Sequence, residues 1–538
     1  MKKVVFGIFS MLLVISILSN ASNLRLVEAW SNGGYSDDPN NPDYGTHDWI
    51  AQHALDWLPA EEKQYISDNL AAYLYGTELP DNYMTPDGIG DTVNHHVYFD
   101  ALGNMEDDSA AFRAQWEFER VLSFLDIEDY GNASKTAGVM SHYLADVAVF
   151  GHVMATNTVW GAENGTHHSS YEYYVNEKTN NYTDDFNSYL FFDGNLDIIS
   201  AYNATKNLAY DATFDTDGDL TCVWMDQNYD WGNSVVRNRA GESLNLAVNY
   251  LADVLHTLYI ESRKEEKSYA FPADDVGLVF ENVTAKGSTT VDKNATGPEP
   301  PPSLVIKQYY NIETTANYSG KIDVKIIYDN LTLEEEASLQ LMQWNETTQQ
   351  WVGVTTYIDV RVNLGYEGCD ENVTTYLIVG ETNHLSAFGI TCANLSSATA
   401  YNFPVNVGTE TFNLSVKTNS TIPNFTFDEQ NKTAYFDVEG SSGTMGYCQI
   451  TMPEKLLGGP YTVKVDDKTI LQGYSPPSNG THAFMYITYT HSSHTIRIIG
   501  TTVIPEFPSI LILPLFMAAT LLAVVVYGYI FRKREILY

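Results

Sequence analysis

Between Ser141 and Glu172 the chain sets imidazoles and carboxylates at helical spacings: His142 and Asp146 stand four apart, His152 follows six later, and His168 and Glu172 are again four apart. Residues at i and i+4 share one face of a helix, so each pair presents an imidazole and a carboxylate together. Gly151, just before His152, is a point where a helix can loosen and let that imidazole turn back. Imidazole nitrogen and carboxylate oxygen together suit zinc, a borderline ion that accepts both. Two such pairs facing each other across a helical bundle can hold a multi-metal cluster, and that requirement governs the rest of the reading.

The surrounding sequence supplies the bundle. From Trp30 to about Ser262, segments such as DWIAQHALDWL, AAFRAQWEFERVLSFLDIE and GESLNLAVNYLADVLHTLYIES repeat apolar residues at three- and four-residue steps, and the last is long enough for a closing core helix. Near Lys267 the pattern changes. Ile322, Val324 and Ile326 alternate with Asp323 and Lys325, which is the period of a half-buried strand, and Leu341 to Val354 places two Trp residues around an Asn-Glu-Thr-Thr turn, as in a hairpin. A proline run, Pro298 to Pro302, is a linker or a long loop. A second alternating region, with YTVKVDD and FMYITYT, runs from about Ser397 to Gly500. These two regions resemble the β-sandwich modules of archaeal surface proteins in texture. The predicted architecture is multidomain: an all-α helical bundle over 30–265, all-β sandwich-like modules over 268–396 and 397–503, and one C-terminal transmembrane helix within 504–538.

The ends of the chain predict export. Lys2 and Lys3 precede the apolar run VVFGIFSMLLVISIL, so residues 1–29 read as a signal peptide, cleaved after Ala29 or after Ala21 with removal of a short propeptide. Near the other end, the apolar stretch Ile510 to Phe531 is followed by Arg532, Lys533 and Arg534, the pattern of a single span with its basic end inside. Ile504-Pro505-Glu506-Phe507-Pro508 resembles the Pro-Glu-Phe type of archaeal sorting signal, which implies a sortase-like processing enzyme. Sequons at Asn132, Asn164, Asn203, Asn317, Asn345, Asn413, Asn424 and Asn479 predict a glycoprotein. Of Cys222, Cys369, Cys392 and Cys448, the middle two could pair, and none has metal-ligand spacing. A formal charge of −39 excludes a nucleic-acid scaffold role, since phosphate backbones repel such a surface. The expected setting is therefore extracellular, with the cell membrane as a partner through the C-terminal helix.

The motif H-Y-L-x-D with a His six residues later, then H-x-x-x-E, resembles the core of the zinc-dependent phospholipase C family. The family's chain begins on Trp, matched by Trp30 after cleavage, and its His-x-Trp-Ile element is matched by His47-Asp48-Trp49-Ile50. Leu79-Pro80-Asp81 fits its carboxylate near the attacking water. His95 and His96 both fit its next His, with His96 favoured because an aromatic residue lies two positions on. The resemblance covers roughly 30–260 and implies three zinc ions. Asp81, His96, His142 and Asp146 would hold the first, His152, His168 and Glu172 the second, and Trp30 and His47 the third with Asp146 bridging. It further implies a phospholipid or other phosphodiester substrate and a catalytic role for Asp81 in orienting or deprotonating the attacking water. Other histidines (His53, His95, His167 and His256) fall outside this set as supporting or solvent-facing side chains, and Asp215-Thr-Asp217-Gly-Asp219 lacks the glycine of a calcium loop and reads as a turn.

Two other functions suit parts of the sequence. Zinc-dependent single-strand nucleases and nucleotidases share the fold, but they close the second site with Asp where this chain has Glu172, and their first His follows the N-terminal Trp more closely than His47 follows Trp30. A non-catalytic envelope or adhesion protein stabilised by zinc suits the acidity and the anchor but leaves the open ligand set unexplained. The N-terminal reading is directly testable. A free α-amine titrates near ~8 and can give a lone pair to zinc, whereas a mid-chain amide cannot. A form starting at Trp30 should therefore hold one more zinc by elemental analysis than a form carrying a few extra residues, at a similar melting temperature.

Overall fold

In the computed structural model the described residues run from 36 to 503, apart from 37, 92–93, 156–157, 162, 265–266, 294–295, 330, 363–373, 409 and 443. Trp30, the export segment, the apolar run 510–531, the sorting motif and Cys369 lie outside them. Among the described residues no helix is long and apolar enough to cross a membrane. The chain divides into two compact units, one of 1–293, 310–330 and 354–387, the other of 294–309, 331–353 and 388–538.

Among its described residues the first unit opens with nine helices: α1 (Thr46–Ala54), α2 (Ala60–Ser67), α3 (Leu70–Glu78), α4 (Ser109–Asp126), α5 (Tyr130–Asp146), α6 (Gly165–Asn176), α7 (Ala201–Phe214), α8 (Cys222–Gln227) and α9 (Ser234–Ser262). A short hairpin, Tyr98–Phe99 with Met105–Asp107, stands between α3 and α4. Side-chain caps start several helices: Asp129 accepts from Asn132 N on α5, Asn164 from Thr166 N and His167 N on α6, and Ser200 from Asn203 N on α7. The expected closing helix is α9, whose Leu244, Ala247, Val248, Leu251, Leu255 and Leu258 are buried in one core with Trp49, Tyr73, Met140 and Leu144.

Helices α3 and α5 approach unusually closely. A β-carbon at Gly76 would fall 2.0 Å from the Lys135 carbonyl oxygen, and one at Gly138 would fall 2.0 Å from that of Tyr73. Only two residues without side chains permit this backbone contact. It brings the end of α3 against the residues of α5 that carry the polar pair.

Helix gives way to strand between Ser262 and Ser268, and the packing continues across the change. Strands Thr355–Val362, Thr374–Thr382, Asn317–Asp329, Val276–Ala285 and Ser268–Ala273 form one antiparallel sheet in that order. The alternation at Ile322, Val324 and Ile326 is realised, with all three fully buried. Helix α4 serves this sheet with a second apolar face. Ala110, Ala114, Phe118, Val121 and Leu122 point into the bundle, while Phe112 and Trp116 pack on Phe271, Ile327, Leu377 and Val379. The Trp116 indole donates to the Asp274 carbonyl at 3.1 Å, and Lys325 pairs with Glu119 at 2.7 Å.

In the second unit, Gln340–Asn345 and Gln350–Gly353 form the expected hairpin, with Trp344 opposite Trp351. Over 399–499 a four-stranded and a five-stranded antiparallel sheet enclose a core that includes Leu414, Val416, Phe436, Ile450, Met485 and Ile496. This is a sandwich, and YTVKV and FMYITYT are strands of it.

The α4–sheet contact yields a prediction. Trp116→Ala should lower the unfolding free energy by about 3 kcal/mol, measured by urea denaturation. The helical and β signals of the first unit should still unfold together.

Candidate metal centre

The bundle fixes the polar residues from several directions. Helix α5 carries His142 and Asp146 on its last turns, both fully buried. It ends at Asp146, so Gly151 is not needed to loosen it. Instead the 3-10 turn Phe150–Val153 presents His152, and Gly151 makes room for the next group, since a β-carbon there would lie 2.6 Å from the His168 ring. Helix α6 presents His168 and Glu172 one turn apart. Helix α1 brings His47, whose ring stacks on that of His142 with centroids 4.0 Å apart. Asp81 follows the C-terminal end of α3.

Among the described residues three groups result, each with donor atoms mutually within 4.8 Å: His47, His142 and Asp146; Asp81, His95 and His142; and His152, His168 and Glu172. Donors ~2.05 Å from one tetrahedral zinc are about 3.3 Å apart. Several separations have that length: His47 Nε2 to Asp146 Oδ1 is 3.3 Å, His142 Nε2 to Asp146 Oδ2 3.2 Å, His142 Nε2 to Asp81 Oδ1 3.6 Å, and His152 Nε2 to Glu172 Oε1 3.5 Å. Among the described residues, both nitrogens of His47, His142 Nε2 and Asp146 Oδ1 are buried without a hydrogen bond. Such atoms are costly unless a cation meets them, so the donor set fits zinc.

Backbone carbonyls hold the far side of the imidazoles. His142 Nδ1 donates to Thr77 O at 2.6 Å, His95 Nε2 to Asp91 O at 2.9 Å, and His152 Nδ1 to His95 O at 3.0 Å. Each bond fixes a tautomer and leaves the other nitrogen facing the carboxylates. The His142 bond depends on the glycine contact between α3 and α5, which sets Thr77 against that ring. Glu163, which the sequence reading did not single out, lies with Oε1 3.4 Å from His168 Nδ1. Its only sequence signal is its place beside the cap Asn164.

One expectation is altered. His96 was favoured for the group with Asp81, His142 and Asp146, but His95 stands there, with Nδ1 2.6 Å from Asp146 Oδ2. His96 turns the other way, and its ring stacks on His152 at 5.2 Å. His95 lies in a bend, and the two rings meet different neighbours: His95 the group with Asp81 and His142, His96 the ring of His152. The other histidines of the helical bundle are structural ties: His53 to Asp56, His167 to Asp226 and His256 to Glu62. Asp215 heads a turn, with φ +57°, and accepts from Leu220 N.

The electrostatics follow from burial beside carboxylates. Burial lowers the His47 imidazole to about 4, so it is neutral at pH 7. Burial also works against protonation of His95 and His168, yet Asp146 and Asp81 hold the first up at about 9, and Glu172 and Glu163 hold the second up at about 10. Burial pushes Asp146 upward, but His142 and His95 outweigh it and hold the carboxyl well below its usual range. Asp81 is likewise held low by His142 and His95 against burial, and its side chain retains 16% exposure where those of His142 and Asp146 have none.

Residues 46–214 match the family model of zinc dependent phospholipase C, a stretch that includes each of these groups. No curated protein matches the sequence. Solved structures similar over much of the chain include two clostridial toxins. The alpha toxin from Clostridium absonum is 12% identical, with 85% of this chain and 100% of the toxin chain covered at a TM-score of 0.31. The Clostridium perfringens alpha-toxin isolated from avian strain SWCP is 12% identical, with 83% and 97% covered at 0.29. Scores that low set no element of one chain on the other.

Zinc must displace the protons that these imidazoles hold. Metal uptake by metal-free protein at pH 7 should therefore release protons, seen as a buffer-dependent heat in calorimetric titration. Because the folded values of His95 and His168 are raised above ~6.5, their stabilising contribution is full below that pH and is lost as pH rises through about 9 and about 10. The melting temperature of the metal-free protein should fall across that window. With the match of residues 46–214 to the zinc dependent phospholipase C model and a donor set that fits zinc, this chain is a phospholipase C-like hydrolase.

Proposed function

We propose that the chain is an extracellular, membrane-tethered hydrolase of phosphate diesters, phospholipids first among them, that works with three zinc ions. The observation that carries this reading is the set of donor separations near 3.3 Å converging on Asp146 and Glu172. His152, His168 and Glu172 would hold one ion, and Asp81, His95, His142 and Asp146 another. His47, Asp146 and the amine and carbonyl of Trp30 would hold the third. The two Asp146 oxygens face different imidazoles, Oδ1 toward His47 and Oδ2 toward His142, which supports a bridging role.

Bound zinc supplies Lewis acidity, lowering the pKa of a water toward ~7 and offsetting charge on phosphoryl oxygens. The chain's own residues do the rest. Asp81 is the carboxylate with solvent contact, so it can orient the attacking water and take its proton at Oδ1 or Oδ2. The carbonyls of Thr77, Asp91 and His95 keep three imidazoles in fixed tautomers, so the donors need no reorganisation when substrate arrives. Removal of residues 1–29 would free the Trp30 amine, so that export completes the site. The C-terminal apolar run, the sorting motif and the sequons support a tethered, glycosylated protein on the outer face of the cell.

Asp81→Asn should reduce turnover by about 10²-fold or more while the group with Glu172 keeps its zinc. Glu172→Gln should instead lose one zinc together with most activity. The zinc-loaded chain should cleave phosphatidylcholine and an aryl phosphodiester faster than single-stranded DNA. Preferential cleavage of the DNA would move the chain to the nuclease class, and no turnover with full zinc would leave a structural metal site.

A further inference from the structure

The loops that join the metal groups carry exposed apolar side chains. The hairpin after His95 and His96 exposes Leu102 at 88% and Met105 at 37%, and the loop between His152 and His168 exposes Val159 at 61%. These belong to one surface. Trp160, next to Val159, donates from its indole to the Phe99 carbonyl of the hairpin at 2.7 Å and packs on Phe214, with ring centroids 5.4 Å apart. Gly103, next to Leu102, lies against the ring of Tyr210, itself exposed and packed on Phe214. Tyr202 reaches the sulfur of Met105. The surface is fastened to the metal groups, since Val97 N donates to His152 O and Ala110 N to His96 O. Tyr83 and Met84, on the loop directly after Asp81, are exposed as well.

The exposed charge around these side chains is mostly acidic. Residues 82–107 and 153–164 contain no Lys or Arg, and Asp100, Glu106 and Asp107 belong to the hairpin; Asp87 is paired with Lys135, Glu163 is turned inward to His168, and Lys206, one turn from Tyr210 on α7, is a nearby cation. An anionic leaflet recruits proteins through basic segments, which these loops lack. A zwitterionic leaflet presents ammonium groups outermost, complementary to an acidic rim, with an apolar layer beneath that can take aliphatic side chains.

We infer that the hairpin, with Val159 and Trp160 before α6, forms a docking surface for a zwitterionic phospholipid leaflet, with Leu102 and Val159 entering its apolar boundary. This rests on the phospholipid reading of the neighbouring site. Docking there sets the metal groups at the level of the headgroups, and lipid has to move little to reach Asp81. An environment-sensitive dye on Leu102→Cys or on Val159→Cys tests it, with Glu429→Cys in the β sandwich as control. The full chain, incubated with zinc, carries Asp81→Asn, so that lipid is consumed about 10²-fold more slowly and binding is read apart from turnover. On phosphatidylcholine vesicles the dye at 102 and at 159 should brighten and shift to the blue, the control should not, and phosphatidylglycerol vesicles should give the smaller shift. An aqueous signal at 102 and 159 on vesicles, or a larger shift with phosphatidylglycerol, overturns the surface. A blue shift in a chain whose Asp81 form cleaves no lipid would retain the surface and remove the phospholipase reading.

Discussion

Much of the first unit is arranged around one carboxylate. Asp146 is fully buried, and a buried carboxylate is destabilising by several kcal/mol unless positive charge or hydrogen-bond donors surround it. Its neighbours are His47, His95 and His142, drawn from α1, the segment before the hairpin, and α5 itself. Each of these elements is held by something else: α1 by Asp48, which bonds Thr77; the His95 segment by Asp91, which accepts from Tyr143; and α5 by its contact with α3. Removing His95 or His142 leaves charge uncompensated in the core. The site and the bundle are in this sense one structure.

The chemistry of the site was largely legible in the sequence because helix geometry makes it so. Two pairs spaced i and i+4 on apolar helices have few arrangements, and the groups His142–Asp146 and His168–Glu172 formed as the spacing implies. His47 and Asp81 came only from resemblance, since neither has a local partner. The choice between His95 and His96 was open for a physical reason. Adjacent side chains differ in which way they face, and that is set here by a long-range contact, His95 Nδ1 to Asp146 Oδ2, that the sequence does not display. Glu163 and the three carbonyls were not legible, because backbone acceptors have no sequence signature.

Strand periodicity identified the β elements well, but it says little about which faces pack on what. The alternation in residues 322–326 marks a buried face without revealing that the sheet also covers Trp116. That second apolar face of α4 is written in the sequence as Phe112 and Trp116, four apart and off the main stripe. In a helix with so many apolar residues such a pair passes for part of one broad face.

The contact between Gly76 and Gly138 has a consequence for how the chain can change over time. Each glycine faces backbone atoms, which cannot move aside as a side-chain tip can. Compensation by a smaller neighbour is therefore closed, because no residue is smaller than the one already present. Most core positions drift by trading volume with a neighbour, but these two can trade with nothing. The helix pair is a fixed hinge pin in sequence space: metal ligands on either side can be exchanged for others of similar reach, while the spacing that aligns them can be kept or lost and cannot be tuned.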